Sequence, residues 1–208
     1  MAKSELKIGL LGGTFDPPHL GHLRVAEEVR LAFHLKEVWF IPAGYPPHKG
    51  IPFFSFEERF EMLDLATSSN PYFKVLDLER EERPSYTLKT LEKLKGLYPE
   101  REFFLIVGFD AFTELETWWH FEKFLDYCEI IVVSRGSGDW KKGKLYVEER
   151  AQILWGEKGK EKVHFLEIFP YEISSTLLRD YLKKGRSIRY LVPEEVYFYL
   201  KERGYLSV

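Results

Sequence analysis

Two histidines near the N-terminus have a spacing that suits phosphate chemistry. Residues 12–22 read Gly-Gly-Thr-Phe-Asp-Pro-Pro-His-Leu-Gly-His, which places His19 and His22 three residues apart. Side chains at that spacing lie on one face of a helix, so both imidazoles can meet the same phosphate group. They can donate hydrogen bonds or positive charge to an α-phosphate as its geometry becomes trigonal bipyramidal. The pair therefore predicts electrostatic catalysis at phosphorus.

A glycine pair precedes the histidines. Gly12 and Gly13 end an apolar run, and without a Cβ the backbone can approach a ligand closely, while the N–H groups of a following helix can face phosphate. Such a pair alone is as typical of a plain turn as of a phosphate site. A Walker loop is excluded because no Gly-Lys-Ser/Thr follows. A metal site is disfavoured because no further histidine or carboxylate has a ligand spacing.

A second group of polar residues lies near the C-terminus. Residues 173–179 read Ile-Ser-Ser-Thr-Leu-Leu-Arg, which predicts a helix start with Ser174 as N-cap. No acidic residue occupies the first turn, so the positive helix end stays open for an anion. Arg179 lies four residues after Ser175, and its guanidinium can join the hydroxyls there. From these residues alone, a simple capped helix is the alternative.

Alternating strands and helices must position these groups. Runs rich in Val, Ile, Leu and Phe predict buried strands at residues 7–11, 37–41, 73–78, 102–107, 129–133 and 163–168. Amphipathic segments predict helices at residues 20–33, 55–66, 87–97 and 147–154. This alternation indicates an α/β fold: a doubly wound parallel sheet of about six strands, with helices on both faces. Ligands would bind beyond the carboxyl ends of the strands, where the strand order reverses.

The last part of the chain, residues 173–208, predicts a small helical element. Its two helical runs are separated by Gly185-Arg186-Ser187, and the second opens at Pro193, as a first-turn proline does. The segment at residues 136–143 is predicted to be a mobile loop. With 208 residues and 45% hydrophobic composition, the chain can bury one sizeable core, so we expect a single domain over residues 1–208.

Composition and charge disfavour several classes of function. Lys and Arg number 30 against 33 Asp and Glu, and no basic block is long enough to bind nucleic acid. No apolar stretch resembles a signal peptide or reaches transmembrane length, so we expect a cytoplasmic protein with no membrane partner. The single cysteine, Cys128, is interpreted as a buried residue at a strand entrance. The sequence does not decide whether the protein forms a homo-oligomer.

The segment at residues 12–22 resembles the HxGH signature of the nucleotidyltransferase superfamily, and within it that of the bacterial nicotinate mononucleotide adenylyltransferases. The resemblance implies a Rossmann-like sheet and the formation of nicotinate adenine dinucleotide and pyrophosphate from ATP and nicotinate mononucleotide. Residues 173–179 are similar to the second nucleotide signature, ISSTxxR, whose arginine grips the ATP phosphates. Catalytic roles are thereby implied for His19, His22 and Arg179. The implied ATP-binding residues are Gly12, Gly13, Thr14, Phe15, His19, His22, Gly108, Asp110, Ser174, Ser175, Thr176 and Arg179.

Other segments resemble the parts of this family that bind the acceptor. Residues 42–49 are similar to its PPHK loop, which makes His48 and Lys49 candidates for the phosphate of the mononucleotide. Trp118 aligns with the tryptophan that stacks on the pyridine ring. Because the pyridinium is cationic, an indole face adds a cation–π energy of about 0.5–2 kcal/mol.

Residues 84–87 resemble the PSYT element of the family. The resemblance implies that main-chain N–H groups of Thr87 and Trp119 receive the nicotinate carboxylate, and donors there favour the acid over the amide. Arg135 is a further phosphate candidate, although Gly136 replaces the usual proline after it.

The sequence also suggests a cofactor and leaves alternatives. Mg²⁺ is expected to bridge the ATP phosphates and to keep most of its waters. Another HxGH enzyme, with nicotinamide mononucleotide or phosphopantetheine as acceptor, is one alternative, and a non-catalytic nucleotide sensor is another. The presence of His19, His22 and Arg179 favours an enzyme over a sensor, and Thr87 with Trp118 favours nicotinate over phosphopantetheine.

Overall fold

Six parallel strands form one sheet in the computed structural model, which describes residues 6–46, 50–134, 140–169 and 172–206. In four of them at least four consecutive residues are buried, as expected when helices cover both faces of a sheet. The strands are β1 (Lys7–Gly13), β2 (Glu37–Pro42), β3 (Phe73–Val75), β4 (Glu102–Gly108), β5 (Cys128–Ser134) and β6 (Val163–Glu167).

The strand order is β3-β2-β1-β4-β5-β6. It reverses between β1 and β4, which pair in a register that sets Ile8 beside Phe103 and Leu10 beside Leu105. In an open parallel sheet, the crevice at such a reversal binds ligands at the carboxyl ends of the strands. The predicted α/β, doubly wound sheet is confirmed, and the loop after β1 lies at its crevice.

Helices cover both faces of the sheet. One cluster of buried residues joins β1 and β4 to Leu88, Leu91 and Leu94 of the third helix, and another joins them to Val25 and Val29 of the first. No helix in the described ranges combines the length and apolar composition needed to cross a membrane. The helices are α1 (Leu20–Ala32), α2 (Phe56–Thr67), α3 (Thr87–Leu97), α4 (Phe109–Thr113), α5 (Phe124–Tyr127), α6 (Trp140–Trp155), α7 (Glu157–Lys162), α8 (Ser175–Lys183) and α9 (Glu194–Glu202).

The C-terminal helices pack against α2. Their shared cluster includes Met62 of α2, Leu178 of α8 and Val196 of α9. The second C-terminal helix begins one residue later than predicted, at Glu194, with Pro193 in the N-cap position. These contacts support the proposal that residues 1–208 form a single domain that includes the C-terminal helical element.

The third strand is shorter than the sequence predicts. The N–H of Leu76 still donates to the Phe40 carbonyl oxygen at 2.9 Å, but no pair in the register follows Val75. Asp77 then forms an ion pair of 2.7 Å with Arg80, which closes a turn. The apolar side chains beyond Val75 therefore pack beside the sheet instead of extending it.

Helix α6 begins inside the segment predicted as a mobile loop. Residues 140–143 belong to this helix, so that part of the prediction is wrong, and residues 136–139 lie outside the described ranges. Gly143 lies inside this helix and does not end it, and a Cβ there would make an ordinary contact of 3.4 Å with the ring of Phe165 in β6.

Candidate active site

The loop between β1 and α1 is shaped by one buried aromatic ring. Phe15 has a φ of 50°, a left-handed conformation that costs energy for a residue with a Cβ. Its ring is 2% exposed and packs between the rings of His22 and Phe40, at centroid distances of 4.9 and 5.9 Å. Burial of this ring offsets the backbone strain and sets the course of the loop toward the histidines.

The two histidine rings stack on each other. Their centroids are 3.6 Å apart with an interplanar angle of 24°, and His19 is the N-cap residue of α1. The backbone N–H of His19 donates to Nδ1 of His22 at 3.2 Å. An Nδ1 that accepts a hydrogen bond carries no proton, so the ring proton of His22 is on Nε2, as a phosphate oxygen requires.

The start of α8 is hydrogen-bonded to this first loop. Ser174 caps the helix as predicted, its Oγ accepting from the N–H of Leu177 at 3.2 Å. Ser175 Oγ donates to the Pro17 carbonyl oxygen at 2.9 Å, and Arg179 Nη1 donates to that of Asp16 at 2.8 Å. The two predicted nucleotide signatures therefore meet directly.

Asp16 connects the first loop to the segment before α2. Its side chain is buried, and its two oxygens accept the N–H groups of Phe53 and Phe54, each at 2.9 Å. Arg179 Nη1 also lies 3.4 Å from Oδ2. Asp16 thus connects the first loop to the segment before α2 and to Arg179.

Arg59 is a site residue that the sequence analysis missed. It is 1% exposed, and its Nη1 donates to the carbonyl oxygens of Thr14 at 2.7 Å and Ala43 at 2.9 Å. Burial lowers the pKa of Arg59, and the negative charge of Asp16 opposes that effect. The signal in the sequence was an arginine among the apolar positions of a helix, three residues before Met62.

A cleft of 1240 Å³ opens beside the first loop. It brings together every residue predicted to bind ATP: Gly12, Gly13, Thr14, Phe15, His19, His22, Gly108, Asp110, Ser174, Ser175, Thr176 and Arg179. The cleft is also lined by residues 50–53, by Ser134 at the end of β5 and by Lys183 at the end of α8. Its volume is sufficient for a nucleoside triphosphate.

A second cavity, of 320 Å³, adjoins the cleft. It is lined by Thr87, Trp118 and Trp119, three of the residues predicted to bind the acceptor. The Trp119 ring stacks on Tyr86 at 4.9 Å and 25°. Trp118 also lines the large cleft, as do Gly12 to Thr14, so the two cavities meet at the first loop.

One wall of the second cavity is held by paired loops. Tyr45 N–H donates to Ser85 Oγ at 3.0 Å, and Ser85 N–H donates to the Tyr45 carbonyl oxygen at 2.9 Å. A Cβ on Gly44 would lie 2.1 Å from the Glu79 carbonyl oxygen, so this close approach requires glycine. The predicted contacts His48, Lys49 and Arg135 lie outside the described residues.

A buried carboxyl group lines the same cavity. Glu79 is 8% exposed and accepts a hydrogen bond from the Thr90 hydroxyl. Burial raises the pKa of Glu79, although hydrogen bonds from Thr90 and Ser85 act in the opposite direction. The cavity thus has an acidic group for which the charged state is disfavoured.

The sheet and the histidine cleft define a nucleotidyltransferase, and comparison with known families agrees. Residues 10–181 match the family model described as cytidylyltransferase-like, and the chain belongs to that family.

Curated relatives narrow the assignment. A protein of Oceanobacillus iheyensis is 40% identical over 197 residues, 94% of each chain, and one of Dictyoglomus thermophilum is 40% identical over 96% of this chain and 98% of its own. Both are named "probable nicotinate-nucleotide adenylyltransferase". Within the larger family, the chain is therefore a member of the nicotinate-nucleotide adenylyltransferases, as its motifs predicted.

A solved structure shares the fold. Nicotinic acid mononucleotide adenylyltransferase of Plasmodium falciparum, complexed with NaAD, superposes with a TM-score of 0.74 at 21% identity, covering 96% of this chain and 97% of the other. Because the sequence identity is only 21%, this similarity is evidence for the fold alone, and it supports the doubly wound sheet.

Proposed function

We propose that this enzyme transfers the adenylyl group of ATP to nicotinate mononucleotide, with release of pyrophosphate, in NAD biosynthesis. The observation that carries the proposal is that the two cavities meet at Gly12 to Thr14. One holds the histidine pair and Arg179, and the other holds Thr87 and Trp118. ATP and the acceptor can thereby present their phosphates to each other beside the first loop.

On the ATP side, catalysis is positioning and neutralisation of charge. The 5′-phosphate of the mononucleotide is already ionised at neutral pH, so it can attack the α-phosphorus in line without a general base. His19 and His22 donate to the α-phosphate oxygens as charge accumulates there, and Arg179 contributes a fixed positive charge. The hydrogen bonds from Ser175 and Arg179 to the first loop keep this arrangement in place.

On the acceptor side, recognition depends on one ring and two N–H groups. Trp118 stacks on the cationic pyridinium, and the N–H groups of Thr87 and Trp119 receive the carboxylate. Nicotinamide would present its own N–H₂ to these donors, which disfavours the amide. His48, Lys49 and Arg135 complete the proposal as contacts to the mononucleotide phosphate.

We propose Mg²⁺ as the divalent cation that enters with ATP, since Mg²⁺ is bound largely by substrate phosphates and water. In the described residues, no group of three His, Cys, Asp or Glu side chains could hold a metal ion. Asp16 beside the cleft already accepts two backbone N–H groups, which leaves the exposed Asp110 and Glu172 as the described lining carboxylates that could reach a hydrated ion. The cation would supply neutralisation of the phosphate charge.

Pyrophosphate release tests the proposal. The protein is supplied with ATP and Mg²⁺ together with nicotinate mononucleotide, nicotinamide mononucleotide or phosphopantetheine, and the rate is measured for each acceptor. We expect the highest kcat/KM with nicotinate mononucleotide. Faster release with phosphopantetheine would overturn the acceptor, and ATP binding without release for any acceptor would indicate a sensor.

A further inference from the structure

Three polar side chains follow one another along α8. Ser175, Arg179 and Lys183 are spaced by four residues, so they lie on one side of the helix, each about 6 Å beyond the last. The first two donate hydrogen bonds to the carbonyl oxygens of Pro17 and Asp16. That side of α8 therefore faces the first loop, and Lys183 lines the same cleft one turn further on.

The Lys183 ammonium lies where it can bind an anion in the cleft. The ammonium lies 5.9 Å from the centre of the Phe53 ring, at the edge of the cleft. No carboxylate among the described residues forms an ion pair with Lys183, whereas the adjacent Lys184 pairs with Asp180 at 2.9 Å. Within the described ranges, the lysine and arginine side chains that line the cleft are Arg179 and Lys183.

The direction of the reaction matches this position. In-line attack sets the leaving group opposite the acceptor. The described lining of the acceptor cavity includes no residue of α8. Pyrophosphate therefore departs on the α8 side of the first loop. Among the described lining residues, Arg179 and Lys183 carry the positive side chains that can face the several negative charges of the β- and γ-phosphates there.

We propose that Lys183 binds the β- and γ-phosphates of ATP and the departing pyrophosphate. This rests on the proposed adenylyl transfer, and it adds to that proposal a residue outside the ISSTxxR signature. A lysine ammonium suits the task because it is a compact charge whose three donors can follow phosphate oxygens as they move.

The test compares Lys183→Met with Lys184→Met, which removes the same charge from the adjacent C-cap residue, outside the lining of the cleft. Calorimetry measures the Kd of ATP, pyrophosphate and AMP in the absence of an acceptor. We expect Lys183→Met to weaken ATP and pyrophosphate about tenfold. AMP, which lacks the β- and γ-phosphates, should bind as to the unmodified protein. Lys183→Arg should restore most of the affinity, and Lys184→Met should change none of the three.

Equal effects of the two methionine variants, or an equal loss of AMP and ATP, would overturn the role of Lys183. Thermal unfolding of each variant excludes a general loss of structure as the cause. Because binding is measured without an acceptor, an unmodified protein that binds ATP but releases no pyrophosphate would refute only the proposed function. Failure of the unmodified protein to bind ATP or pyrophosphate would refute both.

Discussion

Arg59 of α2 donates a hydrogen bond from Nη1 to the carbonyl oxygen of Thr14 at 2.7 Å, within the first loop. The same nitrogen donates to Ala43 after β2, and Nε donates to Phe54 before α2. One buried guanidinium therefore fixes the distance between the first loop, which borders both cavities, and the loop after β2. Its five donors make arginine suited to holding several carbonyl groups at once.

Replacing this arginine should cost stability and activity together. Arg59→Met leaves buried carbonyl groups without donors, so we expect the free energy of unfolding to fall by about 2–5 kcal/mol. Urea unfolding measures the loss. Arg59→Lys should retain part of this free energy of unfolding, because the lysine ammonium can still donate hydrogen bonds to the carbonyl groups. Arg203→Met, which removes an exposed arginine paired with Glu61, serves as the control and should cost less than about 1 kcal/mol. Similar losses for Arg59→Met and Arg203→Met would refute the assigned role.

The histidine pair should affect turnover more than folding. His19→Ala and His22→Ala each remove a donor to the α-phosphate, and we expect kcat to fall about 10²- to 10³-fold. Single-turnover measurements at saturating ATP report this directly. The control is His34→Asn, at an exposed histidine whose φ of 52° asparagine tolerates. A near-normal kcat in His19→Ala would remove the electrostatic role.

Gly12 permits a test of the nucleotide loop without damage to the fold. A Cβ at Gly12 would meet nothing within 4 Å, so Gly12→Ala should fold with an unchanged Tm. The added methyl group occupies space that we assign to ATP, and we expect ATP to bind about tenfold more weakly or worse. Gly96→Ala in α3, where there is also open space, should leave ATP affinity unchanged. Normal ATP binding to Gly12→Ala would mean that the backbone there does not contact the nucleotide.

Trp118 should separate the two substrates kinetically. Trp118→Ala removes the stacking surface, and we expect KM for nicotinate mononucleotide to rise about 5- to 30-fold. KM for ATP should rise less, because Trp118 borders the ATP cleft but lies apart from the histidine pair and Arg179 in our assignment. Trp155→Ala is the matched control, since that ring packs on Phe121 and lines neither cavity. If KM for ATP rose as much as KM for the acceptor, the stacking role would be wrong.

Glu79 should make stability depend on pH. Burial raises its pKa in the folded protein above the unfolded value, so ionisation opposes folding. Below the unfolded pKa the carboxyl group is neutral in both states and does not lower the free energy of unfolding. As pH rises through the folded pKa, the loss of free energy of unfolding reaches its full size. We therefore expect Glu79→Gln to be more stable than the unmodified protein at neutral pH, with the gain vanishing in acid. Urea unfolding across the pH range measures this, and Glu81→Gln, at an exposed position, should show no such trend. A gain that is independent of pH would contradict the explanation.

Much of the fold was predictable because strands and helices depend on interactions between near neighbours. The runs of apolar residues marked the strands, and the Oγ of Ser174 caps an N–H only three residues away. The stacking of His19 on His22 is likewise local, since it joins the N-cap residue to the first turn of α1. Prediction was less accurate at the start of α6, because a glycine is a local signal for a loop and Gly143 nevertheless lies inside the helix.

Tertiary structure alone decided how the site is assembled. Arg179 and Asp16 are separated by 163 residues, and Thr87 at the start of α3 and Trp118 beyond β4 line one cavity although 30 residues lie between them. The sequence determined that a histidine pair and an arginine would be available for phosphate chemistry. It could not show that Arg59 holds the first loop, because the partners of this residue are backbone carbonyl groups. Every residue carries such a group, so only the packing of α2 beneath the two loops selects which of them the guanidinium binds.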